Sequence, residues 1–451
     1  MTESGAQAAA PSPSTVRKVA LAAMAGSAIE WYDFFIYLTA AALVFGPLFF
    51  PGGSEVAGVL AAFSTAAVGF VARPVGGILF GHFGDRLGRK PTLVIALLTM
   101  GTATTLVGLL PTYKTIGVAA PIALFVLRFL QGLAVGGQWG GAVLLATEYA
   151  PEGKRGYYGS FAQMGVPVGL VLGNTVFLLI SEIFGEQAFA AWAWRIPFLL
   201  SVILIGIALY IQLRLEDTPV FRRLEERQRE GGDAESRSPV LEVLRDHPKQ
   251  ILLAAGAFFV VNGAFYVLIT GMLDYGTRSL GLSQNTMLAA VLISAAVEAV
   301  AIVGMSAVSD RVGRRPVFMA GAALLGLWAF PLFWLVNTKS FALIVIALCI
   351  AQFFLGMMYG PQAALFAEMF SARVRYSGAS IGYQGASVFA GGLAPIIMVS
   401  LLEATGTSLS VSYILAMATI TFVSVYLITA TYGDEMIRDQ AGVTEEEAAT
   451  T

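Results

Sequence analysis

Long runs without a single charge constrain this chain more than any other feature. They occupy 34–54, 91–113, 156–181, 250–273, 316–338, 340–367, 376–402 and 404–433. A helix needs about 20 mostly apolar residues to cross the hydrocarbon core of a bilayer. Other runs are broken at single points by Glu30 and Asp33, by Arg73, by Arg128 and by Glu298. Counting these gives twelve spanning helices, at approximately 20–48, 56–82, 91–111, 118–148, 157–182, 193–213, 250–274, 285–308, 317–336, 340–368, 376–402 and 409–431. A transmembrane barrel is excluded, because its strands alternate apolar and polar residues over about ten positions. A soluble domain is excluded too. The chain is 57% hydrophobic and 12% charged, against about 25% charged in soluble proteins. The expected class is an all-α membrane protein of two six-helix bundles.

Basic residues set the orientation, because cytoplasmic loops of membrane proteins collect Lys and Arg. With the N-terminus inside, the inner segments hold 21 of the 27 Lys and Arg. Lys114, Arg195, Arg278 and Lys339 fall outside. Both termini are therefore expected in the cytoplasm of a multi-pass plasma (inner) membrane protein. The expected organisation is a disordered tail at 1–16, a bundle at 17–213, a cytoplasmic loop at 214–249, a second bundle at 250–432 and an acidic tail at 433–451. The central loop reads either as a solvated linker with an interfacial helix or as a regulatory surface. Cys349 is the only cysteine and His82 and His247 are the only histidines, which leaves little material for a metal site. The net charge of −2 implies no nucleic-acid surface.

The chain also repeats itself. Residues 84–91 read GDRLGRKP and residues 309–316 read SDRVGRRP. The offset between Asp85 and Asp310 carries Arg73 onto Glu298. Glu148 precedes Arg155 as Glu368 precedes Arg375, seven residues in each pair. Duplicated halves with a site between them are typical of secondary transporters. In the first loop Asp85, Arg86 and Arg89 sit among Gly84 and other glycines, which allow tight turns and close helix approach. Asp310, Arg311 and Arg314 repeat the acid–base order. Such a network can break and re-form, and it can bias a conformational equilibrium by a few kcal/mol.

Those residues carry a resemblance. GDRLGRK (84–90) and RFLQG (128–132) resemble the loop and helix-4 signatures of the major facilitator superfamily. IEWYDFFIY (29–37), ARPVGGILFGHFGDRLGRK (72–90), LQGLAVGGQWGGA (130–142), EYAPEGKRGYYGS (148–160), WRIPF (194–198) and EMFSARVRYSGASIGYQ (368–384) look like its metabolite:proton symporter branch. The likeness covers residues 20–430, and RYSGASIGYQ is most similar to shikimate-permease-type members. The resemblance implies alternating access driven by a proton gradient, with no other cofactor, in a monomer. It also implies that Asp85 ties the inner end of helix 2 to helix 11 near Arg375, Tyr376 and Ser377, and that Arg128 and Gln131 serve proton transfer. Relatives commonly carry an acid where this chain has Gln138, which cannot titrate.

Ionisable groups within the membrane mark pathways or relays by default. Glu30 and Asp33 are three residues apart and share a helical face. Two neighbouring carboxylates do not easily both ionise in a poorly solvated cavity, which suits one to carry a proton; either could instead hold an arginine in place. Arg128 stays charged and can grip a carboxylate bidentately. Arg73 and Glu298 could pair across the interface, or each could be satisfied within its own half as a gate or structural charge. Further cavity candidates are Tyr32, Tyr37, Trp139, Asn262, Tyr266, Tyr359, Gln362, Tyr383 and Gln384. The expected function is proton-coupled import of a small organic acid. A zwitterionic osmolyte symporter and an uncoupled facilitator or exporter are the alternatives. GASIG (378–382) matches a hydrolase pattern, but it opens a helix rather than joining a strand to one, so no enzyme is expected.

Overall fold

The structure is a computed structural model of the chain. It describes residues 13–428 except 53, 88, 137–142, 144–145, 148–149, 152, 215–238 and 371–374, and it leaves out the side chains of 13, 15, 55, 81–93, 211–214, 239–242, 375–376 and 407–409. The tails at 1–12 and 429–451 and most of the central loop thus lie outside the described residues.

Twelve helices carry the described chain: α1 (Val16–Phe49), α2 (Glu55–Leu87), α3 (Arg89–Leu109), α4 (Ala119–Gly136), α5 (Arg155–Ala191), α6 (Ile196–Arg214), α7 (Pro248–Ser279), α8 (Gln284–Val312), α9 (Arg314–Asn337), α10 (Phe341–Glu368), α11 (Ser377–Thr405) and α12 (Thr407–Leu427). Eleven are long and apolar enough to cross a membrane by their described residues alone. The twelfth, α3, shows a shorter apolar stretch, Val94–Leu109, because its first turn is not fully described. Large apolar side chains such as Val300, Trp334 and Leu252 point outward, where lipid replaces water as their solvent.

Several helices are longer than the hydrophobic runs that reveal them. The apolar pattern reports the hydrocarbon layer, and backbone hydrogen bonding continues past it. Helix α5 breaks at Gly185 (φ 80°, ψ 157°), a left-handed backbone that glycine adopts without strain. The central loop contains one described helix, Pro239–Asp246, whose Val243 is buried.

Two sets of helices pack among themselves, α1–α6 and α7–α12. They meet through α5 against α8 and α10, and through α2 against α11. Close approach between α1 and α5 depends on Gly165 and Gly169. A Cβ on Gly169 would lie 2.6 Å from the Ala28 carbonyl oxygen and 2.8 Å from the Tyr32 nitrogen. The internal repeat extends to backbone irregularities. A π-helical turn occupies Ala41–Phe45 in α1 and another occupies Val267–Gly271 in α7, almost one repeat offset apart. Single π turns often accompany functional sites. Two more occupy Tyr275–Ser279 at the end of α7 and Ser387–Gly392 in α11, the latter where that helix meets α2.

Candidate functional site

Two small chambers lie at the centre. The first belongs entirely to the N-terminal half. Asp33 and Phe34 of α1, Gly69 and Arg73 of α2, Met100 of α3, and Arg128 and Gln131 of α4 line it. Asp33, Arg73 and Arg128 are each 1% exposed. Neither carboxylate oxygen of Asp33 has a hydrogen-bond partner, although the Ser201 and Thr104 hydroxyls lie beside it. Nε and Nη2 of both arginines are unpartnered as well. Each buried polar group left without a partner costs about 1–3 kcal/mol, so the chamber holds a concentrated set of unmet donors and acceptors.

Aromatic rings hold the arginines instead. The Arg73 guanidinium carbon is 4.5 Å from the ring centres of Phe34 and Phe70 and 5.4 Å from that of Trp31. The Arg128 carbon is 4.4 Å from Phe34 and 4.3 Å from Tyr37. A desolvated cation over an aromatic face gains on the order of 2 kcal/mol. Arg128 Nη1 also donates to Gln131 Oε1 at 3.1 Å, and Gln131 Nε2 donates to Thr104 Oγ1 at 2.7 Å. A chain of polar contacts therefore runs from Arg128 through Gln131 and Thr104 to the edge of Asp33. Glu30 does not line the chamber but interacts electrostatically with Arg73 and Asp33.

The second chamber lies between the halves. Trp31 of α1 and Val166 of α5 face Phe258, Asn262, Phe265 and Tyr266 of α7, Glu298 of α8, Tyr359 of α10 and Tyr383 of α11. An aromatic partition separates the two spaces. Phe34 meets Tyr266 edge-on at 5.9 Å, and Phe70 meets it at 5.1 Å. On the C-terminal side Phe70 packs against Gly391, where a Cβ would come within 2.7 Å of its ring. Phe35 against Phe265, at 5.6 Å, adds a second contact between α1 and α7.

Both ends of the α5–α8 pair are tied. At the inner end Asp310 accepts hydrogen bonds from the backbone nitrogens of Gly156 (2.9 Å) and Tyr157 (2.8 Å). These are N-terminal donors of α5, whose own N-cap residue, Lys154, makes no side-chain cap. A carboxylate from the other half thus caps that helix, in the favourable sense of its dipole. Arg314 holds Asp310 at 2.5 Å and Glu368 at 3.4 Å. At the outer end Asn285 donates to Glu182 at 2.5 Å.

The candidates read from the sequence distribute as follows. Tyr37 hydrogen-bonds Thr65 and borders the first chamber through Arg128. Tyr32 lines neither chamber and donates to the Pro197 carbonyl, joining α1 to the first turn of α6. Asn262, Tyr266, Tyr359 and Tyr383 come together in the second chamber, whereas Gln362 and Gln384 are buried but line neither. Glu298 makes no ion pair with Arg73 and lines the second chamber with its Oε2 unpartnered. Arg155 is buried near Glu368, and Arg311 is exposed. Gln138, Trp139 and Glu148, and the side chains of Gly84, Asp85, Arg86, Arg89 and Arg375, lie outside the described residues. Trp31, Phe34, Phe70, Phe258 and Phe265 also form the chamber walls and the partition, and nothing in the sequence singles them out. An aromatic residue in an apolar helix carries no local mark that distinguishes a chamber wall from a lipid contact.

Residues 21–395 match the family described as the Major Facilitator Superfamily. The shikimate transporter of Escherichia coli K12 is 41% identical over 390 residues, covering 86% of this chain and 88% of the relative. The proline/betaine transporter of the same organism is 36% identical over 408 residues, covering 89% and 80%. Among solved structures, the partially occluded inward-open form of the E. coli xylose transporter XylE superposes with a TM-score of 0.71 at 19% identity, covering 93% of this chain and 99% of that one.

Proposed function

The chain belongs to the major facilitator superfamily, and from that premise we propose that it imports a small organic acid together with a proton by alternating access. It is a multi-pass inner-membrane metabolite transporter, not an enzyme. One observation carries the finer reading. A carboxyl group with both oxygens unpartnered shares a closed chamber with two arginines, each with unpartnered donors. Such a trio can exchange partners. With the site empty, Asp33 can draw on the arginine charges. When an anion takes the arginines, Asp33 loses them and takes a proton, so anion and proton load together. Glu30, coupled to both Arg73 and Asp33, can share the same proton. Arg73 and Arg128 favour an anion over a neutral solute.

Alternation is then the breaking of one tie while the other holds. Asp310 on the N-terminal turn of α5 supports the reading of an inner latch, and Asp85, its repeat partner, would act likewise on the start of α11. Glu182 with Asn285 is the outer counterpart. The proline/betaine relatives keep a zwitterion as the second reading, since one aromatic chamber contains an acid. Purified protein in liposomes with an imposed inward proton gradient tests the proposal. Accumulation of shikimate, α-ketoglutarate, citrate or benzoate, abolished by a protonophore, supports acid symport. Equilibration without accumulation would mean a facilitator, and movement of betaine or proline alone would remove the acid reading.

A further inference from the structure

Glu298 of α8 is 1% exposed. It lines the second chamber, and its Oε2 has no hydrogen-bond partner. No Lys, Arg or His lines that chamber among the described residues. The other titratable groups there are the hydroxyls of Tyr266 on α7, Tyr359 on α10 and Tyr383 on α11, while α1 and α5 present Trp31 and Val166. Tyr359 and Tyr383 are hydrogen-bonded to each other, and Tyr359 interacts electrostatically with Glu298. From the N-terminal half, Arg73 acts on Tyr266 and Tyr383, and Glu30 acts on Tyr383.

An ionised carboxylate shut into such a chamber loses its water and gains no countercharge, the costliest way to bury a charge. The cost is removed when a cation closes in with it, either a proton on the carboxyl or a small ion such as sodium on its oxygens. The free space admits about one water molecule, so the closed arrangement takes an occupant of that size and not an organic ammonium. Asn262, Tyr359 and Tyr383 line the same space with side chains that bear oxygen, the ligand atom that hard cations prefer. The walls come from both halves, so the chamber meets water when the halves part and must be neutral when they close. Asp33 stands in the other chamber, behind the partition of Phe34, Phe70 and Tyr266, and neutralising it does nothing for Glu298. We propose that Glu298 holds a second coupling cation, a proton or sodium, so that each transported acid crosses with two cations, one in each chamber. The proposal rests on the acid-symporter reading and deepens it.

The test counts cations by the accumulation they support in proteoliposomes, with the membrane potential held at zero by potassium and valinomycin. The probe is whichever of shikimate, α-ketoglutarate and citrate accumulates under a proton gradient. A tenfold gradient of a cation supports about tenfold accumulation for each such cation carried. With sodium equal on both sides, a tenfold proton gradient should concentrate the acid about a hundredfold if the second cation is a proton. If it is sodium, that gradient should give about tenfold, and an added tenfold sodium gradient should raise this to about a hundredfold. In either case Glu298→Gln should lower the limit to about tenfold, while exchange of labelled for unlabelled acid persists. Should Glu298→Gln not reconstitute, Glu298→Met, an apolar side chain of similar length, carries the same expectation. A wild-type limit of about tenfold under both gradients together overturns the second site whatever the variants do. So does a Glu298 variant that still reaches about a hundredfold. If neither gradient concentrates any acid, the symporter reading falls as well. If acid accumulates to the one-cation limit, only the second site falls.

Discussion

Phe34 carries two guanidinium groups, Arg73 at 4.5 Å and Arg128 at 4.4 Å. Two like charges on one ring, far from water, favour an anion arriving between them. This sets two expectations at the residue scale. Arg128→Lys replaces a planar fork with a point charge and gives up the stacked geometry. Its apparent affinity for the transported acid should fall about tenfold, as read from the concentration dependence of uptake, for a loss of about 1.4 kcal/mol. Asp33→Asn keeps the shape and removes the titrating group. Proton-driven accumulation should drop by about tenfold or more, while exchange of labelled for unlabelled substrate persists, because exchange needs no net proton movement. An Asp33→Asn protein that still concentrates substrate would move the carrier role to Glu30. Of these side chains, the charged ones stood out in the sequence as rare breaks in apolar helices. Phe34 and Phe70 did not, because their importance lies in what stacks on them.

Helices touch here at positions that small residues open and caps that distant residues supply. Gly169 lets α5 lie against the backbone of α1. Gly169→Val should cost about 1–3 kcal/mol of stability by forcing the helices apart, seen as a lower melting temperature in detergent. The cap on α5 is more telling, because Asp310 reaches it from α8 of the other half. Asp310→Asn removes a charge worth about 0.5–2 kcal/mol at a helix N-terminus. It should therefore shift the balance about two- to thirtyfold toward the state open to the cytoplasm. In a Cys349→Ser background, a thiol introduced by Ala363→Cys, which lies on α10 beside Gly159 of α5, should then be alkylated faster from the inner side. Unchanged alkylation would leave Asp310 a purely structural cap. Helix positions were legible in the sequence because the hydrocarbon layer demands apolar runs of a minimum length. The π turns in α1, α7 and α11 were not, since they add one residue to a turn without altering composition.

At the scale of the molecule, two halves close over the chambers from both sides. If the outer tie opens in every cycle, then Glu182→Cys with Asn285→Cys, oxidised to a disulfide in a protein without Cys349, should stop transport, and reduction should restore it. Continued transport in the cross-linked protein would show that α5 and α8 do not part at their outer ends. By itself the sequence determined the class of solvent, the number of spans, their order and the duplication of the halves, because each rests on composition or on spacing along one chain. It also marked which charges the membrane must enclose. Tertiary structure alone decided how those charges are grouped. It placed Asp33 with Arg73 and Arg128 inside one half, and it set Glu298 apart in an aromatic chamber between the halves rather than against its repeat partner Arg73. Contacts between residues hundreds of positions apart depend on how helices tilt and rotate against their neighbours. Many residues share in that packing, and no local pattern records it.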